Sequence, residues 1–204
     1  MHPNILTQKQ RQLLPLIKEF SQDFYLVGGT AIALYIDHRR SIDFDLFSRK
    51  ALNKRLIHSL IERSDYKWEL LFEREDQLSG ILHQVRLTFY QYPFAIPAST
   101  KFENIIKMPS LLDLAAMKAY ALGQRAKWKD YVDLYFIFKD HYSLDQIVVR
   151  AREVFGPAFN GKLFRQQIAY FEDINYQEKV AYLGPKISRV KIQHFLTKIA
   201  TEKF

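Results

Sequence analysis

Residues 42–46, Ile-Asp-Phe-Asp-Leu, read as a strand that carries two carboxylates on one face. Residues i and i+2 of a strand share a face, so Asp43 and Asp45 project together while Ile42, Phe44 and Leu46 turn into a core. Two neighbouring acids repel unless a cation neutralises them. A hard divalent ion with oxygen ligands does so, and Mg²⁺ is the usual one where phosphates are handled. Upstream, the apolar run Phe24–Val27 is followed by Gly28-Gly29 and a helix expected to open at Thr30. Glycine lets a backbone approach a ligand, and the first amides of a helix attract an anion such as a phosphate. Either half alone is common as an ordinary turn or a solvated strand face. Together, in this order, they are the equipment of phosphoryl or nucleotidyl transfer.

The rest of the chain supports a folded domain. It has 204 residues, 48% of them hydrophobic and 15% aromatic, which suits one moderate domain or two small ones sharing a core. With no cysteine, disulfides and thiolate zinc sites are excluded. No apolar run is long enough to span a bilayer and no signal-peptide pattern opens the chain, so the expectation is a cytoplasmic protein away from membranes. Lys and Arg outnumber Asp and Glu by 30 to 22, a balance that suits phosphate partners or mere solubility.

Residues 5–20 and 52–63 show helical apolar spacing, with Pro15 expected to bend or interrupt the first. Residues 66–73 and 81–90 predict two antiparallel strands joined by the polar segment 74–80, and 94–108 an irregular connection with one short strand. Ser110-x-x-Asp113 has the form of a capping box, and from there the chain reads as helical to its end. Within that half, 111–122 is apolar nearly all round, yet Lys118 sits in its middle. A buried ammonium needs a partner or a function. The following helix, 128–138, offers Asp130 and Asp133 three apart on one face, with Gly123, Gln124 and Arg125 at the corner between the two. Pairing of Lys118 with Asp130 or Asp133 is the plain structural reading. Arg39 and Arg40 precede the acidic strand and fit either a phosphate or a basic surface loop. His38 and His83 lack metal-ligand spacing. Val148, Phe155, Phe159, Phe164, Ile168 and Phe171 predict core positions in the tail. Lys179, Lys186, Arg189, Lys191, Lys198 and Lys203 give it a basic bias.

Gly28-Gly29-Thr30, a dozen intervening residues and Asp43-Phe44-Asp45 resemble the signature of the polymerase-β-type nucleotidyltransferases. The fuller string GGTAIALYIDHRRSIDFDLF, with LLDLAAMKAYALGQRAKWKDYVDLYFI, resembles one branch, the AbiEii/AbiGii toxin-type nucleotidyltransferases. The resemblance implies an α+β fold: a nucleotidyltransferase domain with a small mixed sheet over 1–108, then a helical bundle over 109–204 that completes the active cleft. It implies Mg²⁺-dependent transfer of a nucleotide from an NTP to a hydroxyl of RNA, notably a tRNA 3′ end, or of a protein. It also implies a toxin of a toxin–antitoxin or phage-defence pair, with a cognate antitoxin as partner. Asp43 and Asp45 fall to the metal and Gly28, Gly29, Thr30 and Arg39 to the nucleotide. By motif position Lys118 and Asp130 join the active centre, and Arg125 matches a basic residue of the same block. Lys118 is expected to neutralise the triphosphate. Asp130 could orient Lys118, act as a general base or assist the metal; Asp133 is expected to be a structural partner. One departure stands out. Related enzymes often carry a third metal carboxylate on a later strand, where this chain offers Gln84, Arg86 and Thr88, or Glu69 without clear alignment. An NTP-binding module without catalysis and a basic RNA-binding adaptor are the alternatives.

Overall fold

The computed structural model describes residues 1–174 and 176–202. The chain divides into two compact units, Met1–Ser110 and Leu111–Phe204.

The first unit is built on a five-stranded mixed sheet. Its strands are β1 (Tyr25–Val27), β2 (Phe44–Ser48), β3 (Trp68–Glu73), β4 (Gln77–Leu82) and β5 (Val85–Gln91), in the order β1-β2-β5-β4-β3. Only β2 and β5 run parallel; the other neighbours are antiparallel. Alternation decides the faces: Phe44 and Leu46, then Val85, Leu87 and Phe89, are buried, while Asp43, Asp45 and Thr88 lie half-exposed on the other side. Helices α1 (Gln8–Glu19), α2 (Gly28–Ile36) and α3 (Lys54–Glu62) complete the unit, with a short ribbon of β6 (Thr100–Phe102) and β7 (Ile106–Met108). Phe20, Phe24 and Phe89 meet edge-on, with ring centroids 4.8 to 6.2 Å apart, and close the core between α1 and the sheet.

Several expectations are corrected here. Pro15 does not interrupt α1, because it lies on the exposed face, where water can replace the missing amide partner. The helix starts at Gln8 under a reciprocal cap: the Gln10 amide donates to Thr7 Oγ1 at 3.2 Å and the Thr7 amide donates to Gln10 Oε1 at 3.0 Å. Residues 77–80, expected to be a connection, are the first half of β4, so the hairpin is a three-stranded meander. Its second turn is His83-Gln84, both left-handed at φ 51° and 64°. That conformation normally attracts Gly or Asn, and its absence from the sequence hid the turn. The 94–108 connection contains two short strands rather than one. Ile42 is 52% exposed, because β2 begins only at Phe44 and Asp43 stands one residue before it.

Gly80 of β4 pairs with Leu70 of β3. A Cβ there would come 2.4 Å from the Trp68 ring and 2.6 Å from the Glu69 carbonyl oxygen. Gly80→Ala is therefore expected to lower stability by about 1–3 kcal/mol, measured as a fall in the denaturant midpoint. An unchanged midpoint would show that β3 yields freely.

The second unit consists of α4 (Leu111–Leu122), α5 (Trp128–Asp140), α6 (Leu144–Phe155), α7 (Gly161–Ile168) and α8 (Arg189–Thr201). Ser143 and Gln146 form a reciprocal cap at the start of α6. Asp113, in the first turn of α4, accepts from Arg150 Nε of α6 at 2.7 Å. Val148, Phe155, Phe159, Phe164 and Ile168 are buried as expected; Phe171 is only half-buried, against the Tyr131 ring. The chain is not helical to its end: residues 169–174 and 176–188 run without a helix before α8. The expectation for Lys203 lies outside the described residues. No helix among the described residues is long and apolar enough to cross a membrane.

Tyr25 in the first unit and Tyr131 in the second have phenols pushed up to about 12, in both cases chiefly by burial. In the unfolded chain both lose their protons near 10. Between those values the unfolded state binds fewer protons, so stability falls as pH rises. The contribution is complete below about pH 10 and lost on passing about pH 12. Phenolate absorbance should show these two tyrosines ionising after the exposed ones, with unfolding setting in over the same interval. Simultaneous ionisation of all tyrosines without unfolding would contradict this.

Candidate active site

Asp45 and Gly28, two of the residues predicted to cooperate, meet in the first unit. Strand β1 and the start of β2 pair so that Val27 lies opposite Asp45. The chain then turns directly from β1 into α2 at Gly28, whose φ of 73° is open to glycine at little cost. A Cβ on Gly28 would stand 2.1 Å from Asp45 Oδ2, so the carboxylate occupies the space that the missing side chain leaves. Val27, at the N-cap of α2, makes no side-chain cap, and the first amides of any helix have no partner within it. The Asp45 carboxylate thus lies against an amide-lined bend suited to an anion.

Asp43 is held by its backbone. Thr30, 1% exposed, donates from Oγ1 to the Asp43 carbonyl and approaches the Ser41 carbonyl at 3.4 Å. Gln10, fully buried in α1, donates from Nε2 to the same Ser41 carbonyl at 2.9 Å. Thr30 is therefore turned to the 41–43 segment, and Gln10 is a positioning residue that sequence reasoning missed. The Thr7-x-x-Gln10 spacing could have revealed the cap but not the second bond. Arg39 is not part of a surface loop. It is 2% exposed, and its guanidinium would stand 2.6 Å from a Cβ on Gly29. Arg40 is exposed and donates to the Ile5 carbonyl at 3.1 Å. His83 meets Gln12 at 2.8 Å and the Tyr66 ring at 4.4 Å, a structural contact.

The sheet supplies no third acid beside this pair. The β5 neighbour of Asp45 is Thr88, whose hydroxyl lies 3.3 Å from that of Ser79 on β4. Glu69 is on the far edge strand β3, with β4 and β5 between it and β2, so about 14 Å away at the usual strand spacing. Among the described residues, no three acids or histidines converge in a metal-binding group. The pair nonetheless fits Mg²⁺, which takes one or two protein carboxylates and completes its shell with water and substrate phosphates.

In the second unit, Lys118 of α4 is 8% exposed and reaches both carboxylates of α5. It donates to Asp130 Oδ1 and lies 3.1 Å from Asp133 Oδ2. Asp130 and Asp133 are 2% and 0% exposed, so this is a buried triad rather than a surface pair. The plain structural reading of Lys118 holds, with both partners instead of one. Asp130 Oδ2 accepts no hydrogen bond among the described residues, and the exposed Arg125 brings its Nε to 3.7 Å from that oxygen.

A mixed sheet bearing an acid pair against a glycine-opened helix, followed by helices, is the fold of a nucleotidyltransferase. A matching structure is the nucleotidyltransferase toxin MenT4 of Mycobacterium tuberculosis H37Rv. It superposes with a TM-score of 0.64 at 15% identity, over 95% of this chain and 82% of that one. A Helicobacter pylori protein crystallised as a candidate nucleotidyltransferase superposes with a TM-score of 0.57 at 14% identity, over 94% and 91%. The family model described as "Nucleotidyl transferase AbiEii toxin, Type IV TA system" matches residues 16–202, and the chain belongs to that family of toxin nucleotidyltransferases. An uncharacterized protein of Aquifex aeolicus strain VF5 is 29% identical over 176 residues, covering 82% of this chain and 84% of the relative. The α+β architecture and the enzyme class expected from the sequence both stand.

Proposed function

We propose that the protein moves a nucleotide from an NTP to a hydroxyl of RNA, the tRNA 3′ end included, or of a protein, with Mg²⁺ as cofactor. It does so in the cytoplasm as the toxin of a toxin–antitoxin or phage-defence pair. The observation that carries this reading is the Asp45 carboxylate packed on Gly28 at the start of α2.

Asp43 and Asp45 would hold the ion. The chemistry it would supply is neutralisation of negative charge on the triphosphate. The α2 amides at Gly28, Gly29 and Thr30 bind phosphate, with Arg39 stiffening that turn from beneath. Lys118 and Arg125 of the second unit serve the same reaction as cations for the triphosphate. Asp130 has its Oδ1 engaged by Lys118, which leaves Oδ2 to take the proton of the acceptor hydroxyl. The acceptor oxygen then bonds to the α-phosphorus, the bond to the bridging oxygen breaks and pyrophosphate leaves. Asp133 keeps Lys118 oriented.

The test is incubation with each α-labelled NTP, with total cellular RNA and without it. Label on RNA with a preferred NTP is the expected result. Label on protein in both incubations would move the acceptor to the protein class. Tight NTP binding with no transfer to either would overturn the proposal in favour of a binding module.

A further inference from the structure

A cavity of about 440 Å³ in the helical unit takes no part in the mechanism above. The end of α4 and the turn after it form one wall; α7 and its flanking residues form the other. Tyr120, Phe159 and Tyr170 give it aromatic surfaces, Gln124, Asn160 and Gln167 give it amides, and no charged side chain lines it. Its volume falls within the usual range of small-molecule sites, roughly 300–1,000 Å³.

The chemistry of the lining is selective. A phosphate would call for cations, and a purely apolar ligand would leave the amides unused. Aromatic planes with neutral amides suit a planar heterocycle that stacks by its face and hydrogen-bonds by its edge. The Tyr120 ring is already fixed, stacked on Phe155 with centroids 4.4 Å apart and planes 17° from parallel. Asn160 Oδ1 accepts from the Lys162 and Leu163 amides at 3.0 and 3.1 Å, which leaves its NH₂ as a donor. Gln167 uses its NH₂ on the Tyr131 hydroxyl at 3.0 Å, which leaves its carbonyl oxygen as an acceptor. Gln167 of the lining bonds to Tyr131, the residue after Asp130 on α5, and Gln124 immediately precedes Arg125.

We propose that this cavity is a nucleobase subsite, for the base of either the incoming nucleotide or the acceptor's terminal nucleotide. The proposal rests on the reading of Lys118, Asp130 and Arg125 as part of the transfer centre.

Gly123 provides the test. It lines the cavity, and a Cβ there would meet nothing nearer than the Tyr120 carbonyl oxygen at 3.6 Å, an ordinary contact. A side chain can therefore leave the backbone there without a clash, and the indole of Gly123→Trp should fill the cavity. The full chain is dialysed against each labelled NTP, against a labelled oligoribonucleotide, and against the same oligonucleotide lacking its terminal base. Gly123→Trp should weaken the binding of NTP or of oligonucleotide at least about tenfold, the size of one lost stacked base. The probe that weakens identifies the source of the base, and in the oligonucleotide case the abasic probe should bind wild type as poorly as the parent binds Gly123→Trp. Should Gly123→Trp fail to fold, Gln124→Ala with Tyr170→Ala is expected to weaken the same probe. Folded variants that bind every probe as wild type does would overturn the subsite. Dialysis requires no turnover. Binding lost in Gly123→Trp, in a protein that transfers no label, would count against the proposed function and leave the subsite standing. Equal label transfer and binding by wild type and Gly123→Trp would count against the subsite alone.

Discussion

Asp43→Ala combined with Asp45→Ala is expected to lower nucleotide transfer by at least about 10³-fold and to leave the fold intact. The fall follows from losing both sheet carboxylates at once, where removal of one preorganised charge-stabilising group costs on the order of 10²–10³. The fold should survive because both side chains are half-buried and outside the core, which runs through Phe44 and Leu46. Label transfer and a denaturant melt on the same preparation check the two halves together. Undiminished transfer would remove the acids from the reaction, and a collapsed fold would make them structural. Gly28→Ala should fail by a different route, since the added methyl meets Asp45 Oδ2 and the backbone sits at φ 73°.

Lys118→Met should destabilise the helical unit by about 3–5 kcal/mol, the usual result of removing one member of a buried ion pair. Here two carboxylates at 2% and 0% exposure would be left without their ammonium, and Arg125, at 3.7 Å and largely solvated, replaces it poorly. Replacing the whole triad, Lys118→Met with Asp130→Asn and Asp133→Leu, should recover much of that loss, because the desolvation penalty disappears with the charges. Transfer should stay absent in both variants. Recovery of stability with recovery of transfer would mean that Lys118 and Asp130 serve only the fold.

The parts of the molecule that were legible in the sequence are those governed by a period. Alternation put Phe44 and Leu46 in the core with Asp45 on the other face, and the nearly continuous apolar surface of 111–122 announced a buried helix whose lysine needed acids. The unread parts depend on single long-range contacts. Nothing local marks Gln10 as the residue that fixes the Ser41 carbonyl, or Arg39 as buried beneath Gly29, because both side chains belong to types normally found in water. The His83-Gln84 turn was hidden for the opposite reason: two ordinary residues adopt a conformation that glycine usually advertises. Asp43 falls just outside β2 because the loop that delivers it is shaped by Thr30 and Gln10 rather than by the sheet ladder.

Divalent-metal binding tests the central reading most directly. Mn²⁺, a paramagnetic substitute for Mg²⁺, can be titrated into the full chain in the presence of a non-hydrolysable NTP analogue and followed by electron paramagnetic resonance. Wild type should show saturable binding that is lost in Asp43→Asn with Asp45→Asn. The same occupancy in both proteins would contradict the assignment of the acid pair beside Gly28 as the metal and nucleotide site.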